Sequence, residues 1–395
     1  MKKVTCIVFL AASLCGTLAA EDLDKLLASY FRNFAISSLD TKIQIIQDAA
    51  ESGNPGLGPL YVKAIDFVLD NGSLLETEDR MKQLATLAIT QIKKTAYNRD
   101  PDLLWQLFDL TTNAQLRLLV LDALGTVASG DSKTLARMNA FVDGQNALLK
   151  TGKVPDARVV LAAVDALGNL GDASSFPILF SAMTGQYSTE VTARARDALY
   201  RIKGNLKDNL MAIMKTRPLG DKKAALDLAL GSAKLDDAAK AKIADYALDV
   251  ALHAPAGDAM EKQVARDIRY AAAKLLSDKS WSAASSLALE HFDLVLYEHE
   301  RGLANKQQLI EAMDFLGNMG SDEAASRLTL YLVLVNSATE RGKGYDEEIV
   351  LAVLRNLKKL GDTVAFDDLV YVQYLAAYSD SVKRAARDAV EGLSW

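Results

Sequence analysis

The 395-residue chain has two cysteines, three histidines and seven prolines, and aromatic residues make up only 7% of it. Both cysteines, Cys6 and Cys15, lie near its start, so the rest of the chain has no thiol for a disulfide, a metal or a nucleophile. Three histidines are too few for metal chemistries that need several, and no cofactor is expected. Scarce proline beside 50% hydrophobic content excludes collagen-like, disordered and linker-dominated chains. Beyond the first twenty residues no stretch is long and uniformly apolar enough to read as a membrane span. A formal net charge of -6 argues against nucleic acid as a partner.

What is present begins with an ordered N-terminus. Lys2 and Lys3 precede an apolar stretch from Val4 to Leu14; Gly16, Thr17, Ala19 and Ala20 follow, and then acidic Glu21 and Asp22. A basic segment, a short apolar segment and small residues in that order predict a secretory signal peptide over residues 1–20, cleaved after Ala19 or Ala20. The competing reading is a retained anchor, for which the stretch is slightly short. Leu14 before Cys15 fits a lipidation signal poorly. The expectation is an exported protein, periplasmic or extracellular. Cleavage removes both cysteines, and the loss of Lys2 and Lys3 takes the formal charge from -6 to -8.

From Glu21 onward apolar residues recur at helical spacing. Over Ala157–Leu170, Val160, Val164, Leu167 and Gly168 fall at i, i+4, i+7 and i+8, and Leu161 and Leu170 widen the stripe. Alternating stretches are almost absent, so the chain is predicted to be all-α. Glycine, proline and asparagine clusters, such as Ser52–Gly56, Gly152–Pro155 and Gly342–Gly344, divide it into helix-length segments. Asp100 before Pro101 reads as an N-cap with proline at the first helical position. Aligning helix ends exposes a repeat, in which Val120-Leu-Asp-Ala-Leu-Gly125 matches Ala163-Val-Asp-Ala-Leu-Gly168. Its leucine position recurs as Leu124, Leu167, Leu199, Leu230, Ala273, Leu316, Leu357 and Val390, at intervals of 31 to 43 residues. That period is one two-helix unit, which cannot bury its apolar face without neighbours and therefore stacks into a solenoid.

Ala157–Met183, with Ala166-Leu167-Gly168, the Leu170-Gly171-Asp172 turn and Pro177, resembles a bacterial HEAT repeat. Leu360-Gly361-Asp362 repeats the turn, and Val382-Lys383-Arg384-Ala385-Ala386 resembles the start of that family's second helix. Arg117 fits the family's basic position there, whereas Val160 and Thr192 depart from it. The likeness is strongest over 113–203 and 303–395. It implies an α-α superhelix of about ten helical hairpins, with residues 21–100 as a divergent N-terminal cap and 101–395 as the repeat array.

The strongest metal candidate is the run from Glu290 to Glu300, where His291 and Glu298 share a helix face and Asp293, His299 and Glu300 lie near. Two aligned ligands do not fill a tetrahedral site, and the plain reading is a solvated charged face. No Gly-x-Ser-x-Gly elbow and no phosphate-cradling loop occurs, so the chain is not expected to be an enzyme. Two basic stripes stand out: Arg194, Arg196, Arg201 and Lys203, then Lys383, Arg384 and Arg387, with Asp197 and Asp388 as local partners. Tyr371, Tyr374 and Tyr378 recur at i, i+3 and i+7. Such a stripe packs in a core or lines a recognition face. Tyr371, Tyr374, Tyr378, Lys383, Arg384 and Arg387 are the candidate partner-binding residues. Trp395 is expected to cap the last hairpin. Together these features point to a non-catalytic scaffold that binds another protein of the cell envelope or exterior. The alternatives are an enzyme or obligate enzyme subunit, and a module docked on a membrane surface through the basic stripes.

Overall fold

A computed structural model describes residues 22–255 and 257–394. The expected signal peptide and Trp395 lie outside the described residues. Every regular element among the described residues is helical. They fall into two compact units, divided after Gly204.

The first unit contains α1 (22–36), α2 (Leu39–Glu51), α3 (Gly58–Asp70), the single turn α4 (Gly72–Leu75), α5 (Asp79–Thr95) and α6 (Pro101–Leu110). It continues with α7 (Ala114–Val127), α8 (Ser132–Lys150), α9 (Ala157–Leu170), α10 (Phe176–Thr184) and α11 (Thr189–Arg201). The second unit contains α12 (Leu206–Thr216), α13 (Leu219–Gly231), α14 (Asp237–Leu252), α15 (Ala259–Asp278) and α16 (Ser285–Glu300). Its remaining helices are α17 (Lys306–Gly317), α18 (Asp322–Glu340), α19 (Glu347–Leu360), α20 (Phe366–Tyr374) and α21 (Asp380–Glu391).

Within each unit the helices pair and the pairs stack in two layers. In the first unit α3, α6, α8 and α10 form one layer and α5, α7, α9 and α11 the other. In the second, α12, α14, α16, α18 and α20 lie in one layer and α13, α15, α17, α19 and α21 in the other. This is the α-solenoid arrangement expected from the repeat, with four pairs in one unit and five in the next among the described residues. Stacking from α3 to α6 and from α5 to α7 runs through residue 100 without a break.

The repeat motif explains the stacking. In α9, Val160, Val164 and Leu167 are buried as the spacing predicts, and so are Val159, Ala163 and Ala166 on the flanks. The apolar stripe is therefore wide enough to meet two neighbours, α7 and α11. Gly168, which follows Leu167, lies against α11, where a Cβ would come 2.7 Å from the Cβ of Ala198. The Leu-Gly step thus places one side chain in the core and removes the next so that two backbones can approach. Leu124, Leu199, Ala273, Leu316 and Leu357 are likewise buried. Leu230 and Val390 are corrections: both are half-buried, and the buried positions in those helices are Ala229 and Ala389, one residue earlier.

The Leu-Gly-Asp turn is a two-way cap. Gly171 takes a left-handed φ of 66° and Gly361 one of 68°, ending α9 and α19. The following Asp172 accepts from the amide of Ser174 at 2.9 Å, and Asp362 from that of Val364 at 2.8 Å, starting a 3-10 turn. In both turns the glycine carbonyl accepts an amide from the next repeat, Lys203 to Gly171 and Ser394 to Gly361, each at 2.7 Å. Asp100 precedes a helix that begins at Pro101 as expected, but its side chain makes no cap hydrogen bond. Burial and neighbouring Asp102 raise its pKa instead. Helix ends at Ala96, Thr111–Asn113, Ser232–Asp236 and Lys279–Trp281 carry no glycine or proline and escape the break pattern. Ala96 and Ser280 adopt positive φ without being glycine, while Asn113 and Asp236 cap α7 and α14 through their side chains.

Candidate functional site

The histidine-rich run lies on α16, and the structure corrects its reading as a solvated face. His291 is 1% exposed and Glu298 8% exposed. Their seven-residue spacing does put them on one face, but that face is turned inward. The Glu298 carboxylate accepts from Arg269 at 2.5 Å and from Arg266 at 3.4 Å, both on α15. A buried carboxylate needs such a partner, and a buried arginine needs it equally. His291 packs edge-on against Tyr270 at 5.6 Å and Phe315 at 6.0 Å, and its Nδ1 has no hydrogen-bond partner. Burial, reinforced by the Arg269 charge, lowers its pKa to about 3, so the ring is neutral at ordinary pH. His299 Nδ1 meets the carbonyl of Ala304 at 3.0 Å, and Asp293 accepts from Arg327 at 2.7 Å. Glu298 and Asp293 are thus engaged with arginines, and no group of three potential ligands converges among the described residues.

His291 also forms part of the floor of a cleft of about 440 Å³ in the second unit, framed by α15, α17 and α19. Asp314 of α17 accepts from Arg355 at 2.6 Å and from Asn356 at 2.7 Å, both on α19. One turn along, Lys359 donates to Asn318, whose amide reaches Ser277 Oγ of α15 at 2.7 Å. These bonds tie α15 to α17 and α17 to α19 like rungs of a ladder. In the first unit Lys93 meets Asp122 at 2.6 Å, while Arg194 and Arg201 meet Asp165 at 3.5 and 3.4 Å. The aspartate of the repeated Asp-Ala-Leu-Gly motif is thus the acidic rung at Asp122 and Asp165. The ion-pair partners of Arg194 and Arg201 lie on the preceding helix of the layer, not at the adjacent Asp197 anticipated from sequence.

The tyrosine stripe does not form. α20 ends at Tyr374, and Tyr378 lies in the turn beyond it. Tyr371 is 38% and Tyr374 80% exposed, whereas Tyr378 is 3% exposed. The Tyr378 hydroxyl donates to Asn336 at 2.8 Å, and its ring packs edge-on against Tyr345 at 4.7 Å. The hydroxyl thus reaches α18 from the turn, which takes this side chain off the face of the other two. Lys383, Arg384 and Arg387 sit on the paired helix α21. Lys383 is half-buried, Arg384 and Arg387 are exposed, and none of the three has an ion-pair partner among the described residues.

A feature the sequence reading missed lies on the solvent side of α18. Leu330 is 54%, Val333 38% and Leu334 57% exposed, spaced i, i+3 and i+4. The flanking helices of the same layer add Tyr297 on α16 and Tyr371 and Tyr374 on α20, all exposed. The signal was available, because Leu328–Val335 is apolar at nearly every position, more than a helix with one buried face requires.

No protein-family model matches the chain, and no curated protein does. Solved structures of SYS-1 alone and of the SYS-1/POP-1 complex are similar to 86% of this chain at 13% identity, with TM-scores of 0.28 and 0.27. The chain spans 63% of the length of those structures. At such TM-scores the likeness bears on neither fold nor function. The class of the protein, an all-α array of stacked helical pairs within each unit, rests on its own helices.

Proposed function

We propose that the chain is an exported, non-catalytic scaffold that binds another protein through the second unit. The carrying observation is the exposed apolar face of α18, flanked by Tyr297, Tyr371 and Tyr374. A folded helix rarely leaves three large aliphatic side chains in water on one face, and such a surface is where protein partners dock. Arginine bonds to Glu298 and Asp293 favour a structural role for the one histidine cluster. No helix of the described residues is long and apolar enough to cross a membrane. The basic segment, apolar segment and small residues of 1–20 support export to the envelope or exterior.

A photo-reactive residue at Leu334, used in intact cells, should cross-link one discrete protein, while the same residue at exposed Gly144 on α8 of the first unit should not. N-terminal sequencing of the mature protein should start at Ala20 or Glu21. Equal, diffuse cross-linking from both positions, or a mature chain that retains Lys2 and Lys3 in the cytoplasm, contradicts the respective part of the reading.

A further inference from the structure

The layer that presents the α18 face carries a charge pattern which its apolar residues do not require. On three of its helices an exposed carboxylate precedes an exposed apolar or aromatic residue by seven positions. The pairs are Glu290 and Tyr297 on α16, Glu323 and Leu330 on α18, and Asp367 and Tyr374 on α20. Seven residues are two helical turns, so each acid shares a face with its counterpart, about 10 Å nearer the helix start. Together α16, α18 and α20 hold nine carboxylates and a single lysine or arginine, Arg327, which Asp293 binds at 2.7 Å. The opposite layer, α15, α17, α19 and α21, is balanced, with ten carboxylates against eleven lysines and arginines.

Some of the nine are engaged: Glu298 by Arg269, and Glu290 by His253 at 3.2 Å. Asp322, Glu323, Asp367 and Asp368 have no ion-pair partner among the described residues. Lys279, just before α16, is held by Asp237 at 2.7 Å. Arg301, Arg341 and Lys343 follow the last turns of α16 and α18, at the far end of those helices from these acids. The helix dipole favours acids in a first turn, but it does not call for basic residues to be missing along three helices.

We propose that this face receives an amphipathic helix of the protein partner, with lysines or arginines two turns from its apolar residues. Its apolar side covers Leu330, Val333 and Leu334, and its cations meet Glu323 and Asp367. A helix laid along α18 has the same rise per residue, so its own seven-residue spacing matches that between acid and leucine. The Tyr374 ring, 80% exposed, offers a cation the kind of stacking that Arg301 finds on Tyr297 at 4.1 Å. An anionic membrane surface would be repelled by the same carboxylates. The proposal rests on the reading that the α18 face binds a protein, and adds the chemistry of that partner.

Two rhodamine-labelled peptides, followed by fluorescence anisotropy against the full chain, test it. One is Lys-Lys-Ala-Ala-Lys-Ala-Ala-Leu-Leu-Ala-Ala-Leu-Ala-amide, and the other has glutamate in place of each lysine. The lysine peptide should bind saturably and the glutamate peptide should not. Glu323→Gln/Asp367→Asn should weaken binding roughly fivefold, the size of two exposed ion pairs. Raising salt to about 0.3 M should weaken the parent's binding more than the variant's. No saturable binding of the lysine peptide, equal binding of both peptides, or binding that the double variant leaves unchanged overturns the proposal. Sedimentation with phosphatidylglycerol vesicles, or a dimer, that Leu330→Ser/Leu334→Ser abolishes also overturns it, because the occupant would then be a membrane or a second copy. Cross-linking of a discrete protein from Leu334 judges the docking reading by itself. Where it occurs without discrimination between the peptides, docking stands and only the partner's chemistry is struck.

Discussion

Burial of His291 gives the second unit a pH dependence that can be signed. Its folded pKa of about 3 lies below the ordinary 6.5, because charging the ring inside the protein is penalised. Between those values the unfolded chain binds the proton and the folded chain does not. Stability from this group is therefore complete above pH 6.5 and is lost progressively as pH falls below it. His291→Phe, which keeps an aromatic ring between Tyr270 and Phe315, removes the titrating group. Urea midpoints measured from pH 7 to pH 4 should fall less steeply in that variant than in the parent; parallel slopes would show that His291 contributes nothing. The sequence placed His291 and Glu298 on one helix face, seven residues apart. It could not show that the face turns inward, because the arginine that makes this tolerable, Arg269, sits on another helix 29 residues away. The same holds for Tyr378, whose spacing suggested a stripe until the helix ended four residues before it.

Local rules carried most of the elements. The Leu-Gly-Asp turn was legible at Gly171 and Gly361 because a left-handed cap favours glycine, and the aspartate that follows caps the next turn. The Leu-Gly step was legible as a repeat, yet its cause, the approach of one layer helix to the next, appears only in three dimensions. Helix ends without glycine or proline were invisible to composition: at Ala96 a left-handed alanine ends α5, and its amide and that of Tyr97 bond back to Lys93 and Ile92. The close approach makes a contrast testable. Gly168→Ala would put its Cβ 2.7 Å from that of Ala198 and should cost about 1–3 kcal/mol by overpacking. Gly144→Ala, in the exposed middle of α8 with nothing within 4 Å of the added carbon, should instead stabilise by roughly 0.5–1 kcal/mol. Thermal melts of the two variants should move in opposite directions. Equal shifts would mean that glycine at the Leu-Gly step is not a packing requirement.

Each of the two units has an apolar interior and a mostly polar surface. That much follows from a 50% hydrophobic, proline-poor chain with a two-helix period. The exposed leucines of α18 stand out against it, because nothing in folding the second unit requires them to be apolar. They are the residues most economically explained by a partner, and replacing them separates binding from stability. The decisive measurement is a pair of readings on Leu330→Ser/Leu334→Ser: its thermal melt, and its affinity for the protein cross-linked from position 334. The melt should stay within about 1 kcal/mol of the parent, as expected for surface positions, while affinity falls at least tenfold. Unchanged affinity with an unchanged melt would contradict the account, since the α18 face would then serve neither folding nor a partner.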